Sequence, residues 1–505
     1  MKKKLLLSAL CAFATMTMNA GGFLTNTNHG AHFLRFPAME GVITVEGALY
    51  NPAGIGFLTP GWHIAVNNQT ALQTRTIQSF YEPFRYGAGN NGMSLKKFEG
   101  KSTAPIIPSF DIAYVKDRWF GSFHFGVIGG GGKCEFDNGL GSFESVVSML
   151  PGVVNALAPM DIVSGYSAES FMRGKQYYFG GQIGLGYKVD DHLSVSLGGR
   201  LIYASCNYYG YVRNISLTTA VDMPTAAGTI PAGTTVPAAN LFNAVGMNSM
   251  AALVGDVNVN CDQSGWGFSP IIGVNYNNGR WNVGLRYEAK ARLRLKNRSS
   301  TEASSMMSNL EEFQDGKKVA GDMPAFFGIG AQYKATDKFR VGLGYHYYFD
   351  DNAHQHNHKQ DKLDANTWEL LGGLEYDLTD RLTASVGGQM TNYGLGKKKD
   401  YISDMSFTTS SYSLGAGVKV KLSEKVDLNV SYFKTFYYST RKNQEDYNGV
   451  GAMYNGIVQR VAASGALTPE QIDKVNTTFQ NVDFSGNDLF DRTNDVIGVG
   501  VNIKF

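Results

Sequence analysis

Apolar residues at every second position, in segments of about 12 to 18 residues, constrain this chain more than any other feature, because period two belongs to strands that face two different surroundings. In the clearest segment Phe339, Val341, Leu343, Tyr345, Tyr347 and Phe349 alternate with Arg340, Gly342, Gly344, His346, Tyr348 and Asp350. Leu382, Ala384, Val386 and Met390 alternate in the same way with Arg381, Thr383, Ser385 and Gln389. Trp281, Val283, Leu285 and Tyr287 repeat the pattern, as do Val426, Leu428, Val430 and Tyr432. One face is apolar and often ends in aromatics, whereas the other carries glycine, amide and charge. A soluble sandwich buries such an apolar face as core, and a membrane barrel turns it to lipid.

Connection lengths decide between the two. Fourteen strands are expected, at 62–81, 105–116, 118–129, 174–189, 192–209, 264–276, 280–295, 323–335, 338–350, 366–378, 381–393, 407–421, 424–439 and 491–505. Every second connection is a tight turn: Lys116-Asp117-Arg118, Asp190-Asp191, Asn277-Asn278-Gly279, Thr336-Asp337, Thr379-Asp380 and Ser423-Glu424. The others are long, at 82–104, 130–173, 210–263, 296–322, 351–365, 394–406 and 440–490. Short turns on one side and long loops on the other, with an even strand number, mark an outer-membrane barrel. The chain is therefore expected to be all-β, with residues 62–505 forming a fourteen-stranded antiparallel transmembrane barrel.

Composition agrees. Of the 505 residues 60 are glycine, with no collagen-like period, and 17% are charged, below the usual ~25%. A net charge of +2 offers no basic stripe for nucleic acid. Residues 1–20 read as a secretory leader, with Lys2, Lys3 and Lys4 before an apolar stretch and Met18-Asn19-Ala20 at the cleavage site. Its removal turns the net charge to −1. No apolar run approaches the ~18 residues of a membrane helix, so the bacterial outer membrane is the expected location. At the end of the chain Ile497, Val499, Val501, Ile503 and Phe505 alternate with polar residues and glycine, a pattern suited to barrel-assembly machinery reading Phe505.

Ahead of the first strand, residues 21–61 show no sustained alternation; they begin Gly21-Gly22-Phe23 and contain Asn51-Pro52-Ala53. With the run from Pro108 to Val115, followed by Asp117-Arg118-Trp119-Phe120-Gly121, these features resemble the FadL/TodX family of outer-membrane channels for hydrophobic compounds. The resemblance extends over essentially the whole mature chain. It implies that residues 21–61 form a hatch plugging the barrel, with Phe23, Asn51, Pro52 and Ala53 in its characteristic motifs. It also implies passive uptake of hydrophobic small molecules, long-chain fatty acids or aromatic hydrocarbons, by external capture and release past the hatch. Neither chemical change, ATP nor a coupling ion is then needed. Proline fixes φ, lacks a donor and biases Asn51 toward extended backbone, which suits a buried bend. Glu40 and Glu46 are the only carboxylates in this segment, so the family's central acidic stretch has no counterpart. The family's side opening at a kinked strand would fall at Gly126 and Gly129 to Gly132.

Two long loops are unusually apolar. Phe143, Val146, Val147 and Leu150 have helical spacing and are followed by Val153, Leu157 and Met160; the loop at 210–263 adds Leu241, Phe242, Met247 and Met250. In the resembled family two such loops form an external groove that captures ligand, which makes these residues the candidate ligand contacts. The alternative is a lid of helices packed on one another. A third helix is expected after Thr468, with Pro469 in its first turn and Gln471 closing a capping box.

Other constellations carry less. His354, His356 and His358 lie near Asp350, Asp351, Asp361 and Asp364 and would share one face of a strand, but on an external loop they are expected to be solvated, and no metal or cofactor is assigned. A haem-binding or adhesive surface protein on the same barrel is the alternative function. Lys397, Lys398 and Lys399 are expected to meet lipopolysaccharide phosphates or water. His124, His346, Arg200, Arg286, Glu288, Arg340 and Glu369 have inward parity and are expected to hydrate a lumen, with Arg200 a candidate partner for a ligand carboxylate. No catalytic constellation is placed, so an enzyme is not expected, and the protein should act as a monomer among outer-membrane lipids. Cys206 lies 14 residues beyond His192 and Cys261 15 residues before Tyr276, at nearly the same height on adjacent strands, so a disulfide is expected between them.

Overall fold

The computed structural model describes residues 25–505 apart from 159, 226, 227, 245–250, 252, 253, 302–311, 464–468 and 481. The leader, Phe23, Met247, Met250, the capping Thr468 and the side chain of Leu157 lie outside the described residues.

Fourteen antiparallel strands close into a barrel. They are β1 (Gly61–Tyr81), β2 (Leu95–Lys116), β3 (Trp119–Phe136), β4 (Val163–Lys188), β5 (Leu193–Thr219), β6 (Val257–Asn277) and β7 (Trp281–Glu288, resumed at Arg294–Ser299). β8 (Lys318–Ala320 and Ala325–Lys334), β9 (Phe339–Phe349), β10 (Trp368–Asp377), β11 (Leu382–Asn392), β12 (Ser411–Lys421), β13 (Val426–Tyr437 with Thr440–Gln444) and β14 (Gly486–Lys504) complete it. Each strand pairs with its sequence neighbours, and β14 closes onto β1 from His63↔Lys504 to Tyr81↔Gly486. Closure leaves no open edge, which a sheet in lipid requires.

Five of the six tight turns share one device. Asp190, Asn278, Thr336, Thr379 and Ser423 each accept, through a side-chain oxygen, a backbone N–H two residues on, the local bond that makes these residue types turn formers. Beside the turns Trp62 packs on Tyr114, Trp119 on Tyr187 and Trp281 on Tyr333, with ring centroids 4.4 to 4.8 Å apart, forming the aromatic girdle of one membrane interface.

At their loop ends several strands run well past the expected limits. β2 begins at Leu95, β3 reaches Phe136, and β4 and β5 extend to Val163 and Thr219. A spanning strand needs only ~9–11 residues, so these ends project beyond the membrane. Outside lipid the outward face need not be apolar, and period two fades there.

The ladder also corrects the expected disulfide. Cys206 stands opposite Gln263, and Cys261 opposite Tyr208, two positions away. Both thiols are free and buried. Such diagonal neighbours stand ~7–8 Å apart, beyond the ~3.8 Å Cβ separation of a disulfide. The rims of the two strands are level, Leu193 opposite Tyr276, but Cys206 lies 13 residues from that pair and Cys261 15, so the two miss each other by two positions.

Candidate functional site

Residues 25–60 run inside the barrel as two short helices, α1 (Ala31–Arg35) and α2 (Gly47–Tyr50), and two 3-10 turns, Met39–Gly41 and Gly54–Phe57. Phe33, Leu34, Phe36 and Met39 are buried against wall residues such as Leu371, Phe433 and Val496. Inward glycines make this approach possible. A Cβ at Gly373 would meet the Phe36 ring, and one at Gly498 would meet Leu34, each within 3 Å.

Polar side chains fix the register. Arg35, fully buried, donates to Glu375 Oε2 at 2.5 Å, to Ser385 Oγ at 2.7 Å and to Asn429 Oδ1 at 3.1 Å. His346 bridges Glu40 Oε1 and Glu369 Oε2, both at 2.8 Å. Arg286 reaches the Leu49 carbonyl and lies 3.8 Å from Glu40. Burial raises the Glu40 pKa, but His346 and Arg286 outweigh it and the net shift is downward. Two of the inward charges, His346 and Arg286, therefore do more than hydrate a lumen; they grip the N-terminal segment. Sequence reasoning placed their parity correctly but missed Glu40, the partner of His346 and Arg286, and missed the Arg35–Glu375 pair altogether.

The Asn51-Pro52-Ala53 tripeptide sits where α2 ends. Asn51 is buried, donates from Nδ2 to the Glu40 carbonyl at 2.7 Å and accepts the Gly54 N–H at 3.0 Å; its amide also meets that of Asn275 at 2.7 Å. Pro52 lies against Gly273, and the Ala53 carbonyl accepts from Ser194 Oγ at 2.7 Å. One motif thus closes its own bend and touches β5 and β6.

The wall is broken on one side. β2 and β3 pair from Phe110↔Phe125 to Lys116↔Trp119 and again at Gly100↔Phe136 and Lys101↔Glu135, but not between. Across β4 the register of β3 shifts at Val127/Gly129 and again at Gly129/Gly132, so β3 carries two extra residues here. Gly130 and Gly132 adopt φ of +96° and +71°, a region in which side chains are strained. The N-terminal segment supplies part of the missing ladder: Asn26 N–H donates to Ile128 O at 2.8 Å, and Thr25 bridges Gly129. Behind the break lies a cavity of about 400 Å³, reached past Pro105, Ile106, Val127 and Gly130 to Gly132. Ile106 is 72% exposed on the outer side.

At the opposite end from the tight turns, helices cover the mouth: α3 (Gly141–Ser148), α4 (Leu150–Leu157), α5 (Ala238–Ala244), α6 (Val450–Ala463) and α7 (Pro469–Gln480). Val147, Leu150, Val153, Leu241 and Phe242 are buried in one apolar cluster with Tyr81, Phe98, Tyr166 and Tyr447, and Phe143 and Val146 pack against it half-buried. Lys96 at 2.6 Å and Tyr166 at 2.9 Å hold Glu144 of α3, and Asp404 accepts the Ser142 N–H at 2.7 Å. Met160 stands apart, 61% exposed. The candidate capture residues thus come together, with their apolar surface turned mostly toward one another.

Two other candidates have their own surroundings. Arg200 is engaged by Glu288 at 2.7 and 2.9 Å and by Gln182 at 2.5 Å. His354, His356 and His358 do not lie on a strand: the chain turns at His356–Lys362, with Asn357 and His358 at positive φ. Among the described residues no three His, Cys, Asp or Glu side chains converge to hold a metal.

Residues 299–455 match the sequence family described as the outer membrane protein beta-barrel domain. No curated protein matches the sequence. Among solved structures, a FadL homologue of Pseudomonas aeruginosa is 14% identical with a TM-score of 0.58, covering 96% of this chain and 100% of that one. The Pseudomonas putida toluene transporter TodX is 14% identical with a TM-score of 0.51, again covering 96% and 100%. A TodX deltaS2S3 mutant, a monoaromatic hydrocarbon channel, is 11% identical with a TM-score of 0.54, covering 95% and 99%. The protein is an outer-membrane β-barrel. Its fold is that of the FadL and TodX channels.

Proposed function

We propose that this protein is a passive channel for hydrophobic small molecules, which it gathers at the helical mouth and releases sideways into the membrane through the gap between β2 and β3. One observation carries this reading: the ladder is missing over residues 102–109 of β2 while the axis of the barrel is filled by residues 25–60. A water-filled porin needs an open axis and an intact wall, and this barrel has the reverse. A hydrophobic molecule leaving through the gap stays out of water, so its transfer to lipid is downhill without an energy source. Residues 21–61 act in this reading as the hatch, with Asn51, Pro52 and Ala53 holding its bend. The capture groove would form between α3, α4 and the loop of α5 when they part. The toluene transporter and hydrocarbon channels that share the fold are consistent with such a cargo.

Deleting Gly130 and Gly131 removes both extra residues of β3 and should let it run straight against β4. Uptake of radiolabelled oleate and toluene by cells expressing this variant should fall at least tenfold, with the heat-modifiable mobility of a folded barrel retained. Unchanged uptake with a folded barrel would exclude the side exit.

A further inference from the structure

Two histidines face each other where the N-terminal segment meets the broken wall. His29 belongs to the segment and His124 to β3, and both are buried. Their ring centroids stand 5.2 Å apart, with the planes at 72°. Each ring is fixed from behind. His29 Nε2 meets the Asn26 carbonyl at 2.7 Å, and His124 Nδ1 meets Asp111 Oδ1, from β2, at 2.8 Å.

Those partners decide where the protons lie. A carbonyl only accepts, so His29 carries its proton on Nε2, and the Asp111 carboxylate draws that of His124 onto Nδ1. His29 Nδ1 and His124 Nε2 are then lone-pair atoms. His124 Nε2 is buried and has no hydrogen-bond partner among the described residues, and His29 Nδ1 makes no hydrogen bond among them either. A buried acceptor without a donor is costly.

The two atoms also border one small space. Gly126 lies two residues beyond His124 on the same inward face, and a Cβ there would stand 2.9 Å from His29 Nδ1 and 3.1 Å from His124 Nε2. Two lone pairs around one point call for an electron-pair acceptor between them. The bonds behind the rings, to a carbonyl and to a carboxylate, are those that orient metal-bound imidazoles. Asp111 also supplies a negative charge, and the neighbouring cations Arg200 and Arg286 are already paired with Glu288. An entry path exists. The cavity behind the break in the wall reaches Asn28, beside His29, and Val127, beside Gly126.

We propose that His29 and His124 form a binding site for a copper ion, which clamps the N-terminal segment to β3 beside the break in the wall. Imidazole suits copper, zinc, nickel and iron, and of the divalent first-row ions copper is held most tightly by a given set of ligands. That difference matters where two imidazoles are the whole protein contribution. Among the described residues no third His, Cys, Asp or Glu joins them, whereas a zinc site has three or four protein ligands. Water from the cavity completes the shell. Because both imidazoles come together only when the segment is seated, the ion stabilises seating by mass action.

The test adds Cu(II) to the untagged full-length protein, stripped with EDTA and held in detergent. One ion per chain should bind, its electron paramagnetic resonance spectrum should show coupling to two imidazole nitrogens, and hydrogen exchange of residues 26–30 should slow at least tenfold. His29→Gln/His124→Gln should weaken binding at least tenfold and abolish the slowing. Gly126→Ala should do the same with both rings present, because its methyl group takes the place of the ion. The external histidines are the competing site, so His354→Gln/His356→Gln/His358→Gln should keep both the two-nitrogen spectrum and the slowing. Should His29→Gln/His124→Gln or Gly126→Ala lose its heat-modifiable form, the wild-type spectrum and the external-loop variant decide. Full affinity in a folded His29→Gln/His124→Gln or Gly126→Ala protein overturns the site. So does loss of binding in the external-loop variant, or a wild-type protein that takes up no copper, in which case water alone joins the two rings.

Discussion

Glu46 is a carboxylic acid buried in the lumen, with no charged partner of its own among the described residues. His32 Nδ1 stands 3.7 Å away, Asn67 Nδ2 donates at 3.4 Å, and Oε2 has no hydrogen bond. Burial pushes its pKa up to about 8, with Asp111 adding to the rise and Arg35 opposing it. Burial also lowers His32, with Arg35 adding to that, so the pair meets as two neutral groups. Once hydrated, a glutamate titrates near ~4.3, so the seated segment holds an extra proton between about pH 4.3 and 8. Its seating is firmest below that window and weakens as pH rises through it, by up to ~tenfold per pH unit in the opening equilibrium. Hydrogen exchange of residues 31–57 should therefore speed up between pH 6 and 8 beyond the intrinsic rate, and Glu46→Gln should flatten that rise. The same rise in the variant would assign it to another group. Nothing in the local sequence marks Glu46 in this way. Asn67 and Asp111, which set its behaviour, lie 21 and 65 residues further along the chain.

The strands and their tight turns were legible because each depends on local chemistry: alternation along the strand and an Asx or hydroxyl residue at the turn. The break in β3 was placed through the family resemblance, and local chemistry agrees with it, since the φ of Gly130 and Gly132 strains any other residue. The outer strand ends were not, because alternation stops where lipid stops. The seat of the N-terminal segment was not legible either, since it depends on pairs such as Arg35–Glu375, 340 residues apart. The mouth helices stand between these cases. Their apolar faces could be read, but which surface covers them depends on tertiary packing, and the described helices cover one another. Val147→Asp or Leu150→Asp would place a carboxylate in that dry cluster without a partner, at a cost of several kcal/mol to helix docking. Oleate uptake by cells should fall severalfold in either variant, with heat-modifiable mobility unchanged, because the barrel ladder does not depend on the cluster. Undiminished uptake would mean that α3 and α4 are only a cover.

At the scale of the whole molecule the barrel and the segment inside it are unequal partners. The fourteen strands satisfy one another through a closed ladder, whereas residues 25–60 contain only short helices and turns, each too short to persist alone in water. The segment therefore depends on the wall, through Arg35, Glu40 and the buried phenylalanines. The wall depends far less on the segment. Emptied, its inward glycines, serines and charged residues would face water, which satisfies them, while the lipid-facing side would be unchanged. Deleting residues 31–57 should then leave a protein that still inserts, resists SDS at room temperature and shifts on heating. In planar bilayers the deletion should raise single-channel conductance from near zero to that of an open pore, since what blocks the axis has been removed. The mouth helices α3 to α7 pack on the extended strand ends and on one another, so some closure at that end should remain as brief current interruptions. A deletion protein that cannot fold would show that the segment organises the wall and is not merely seated in it. One that folds and stays non-conducting would place the main seal at the mouth.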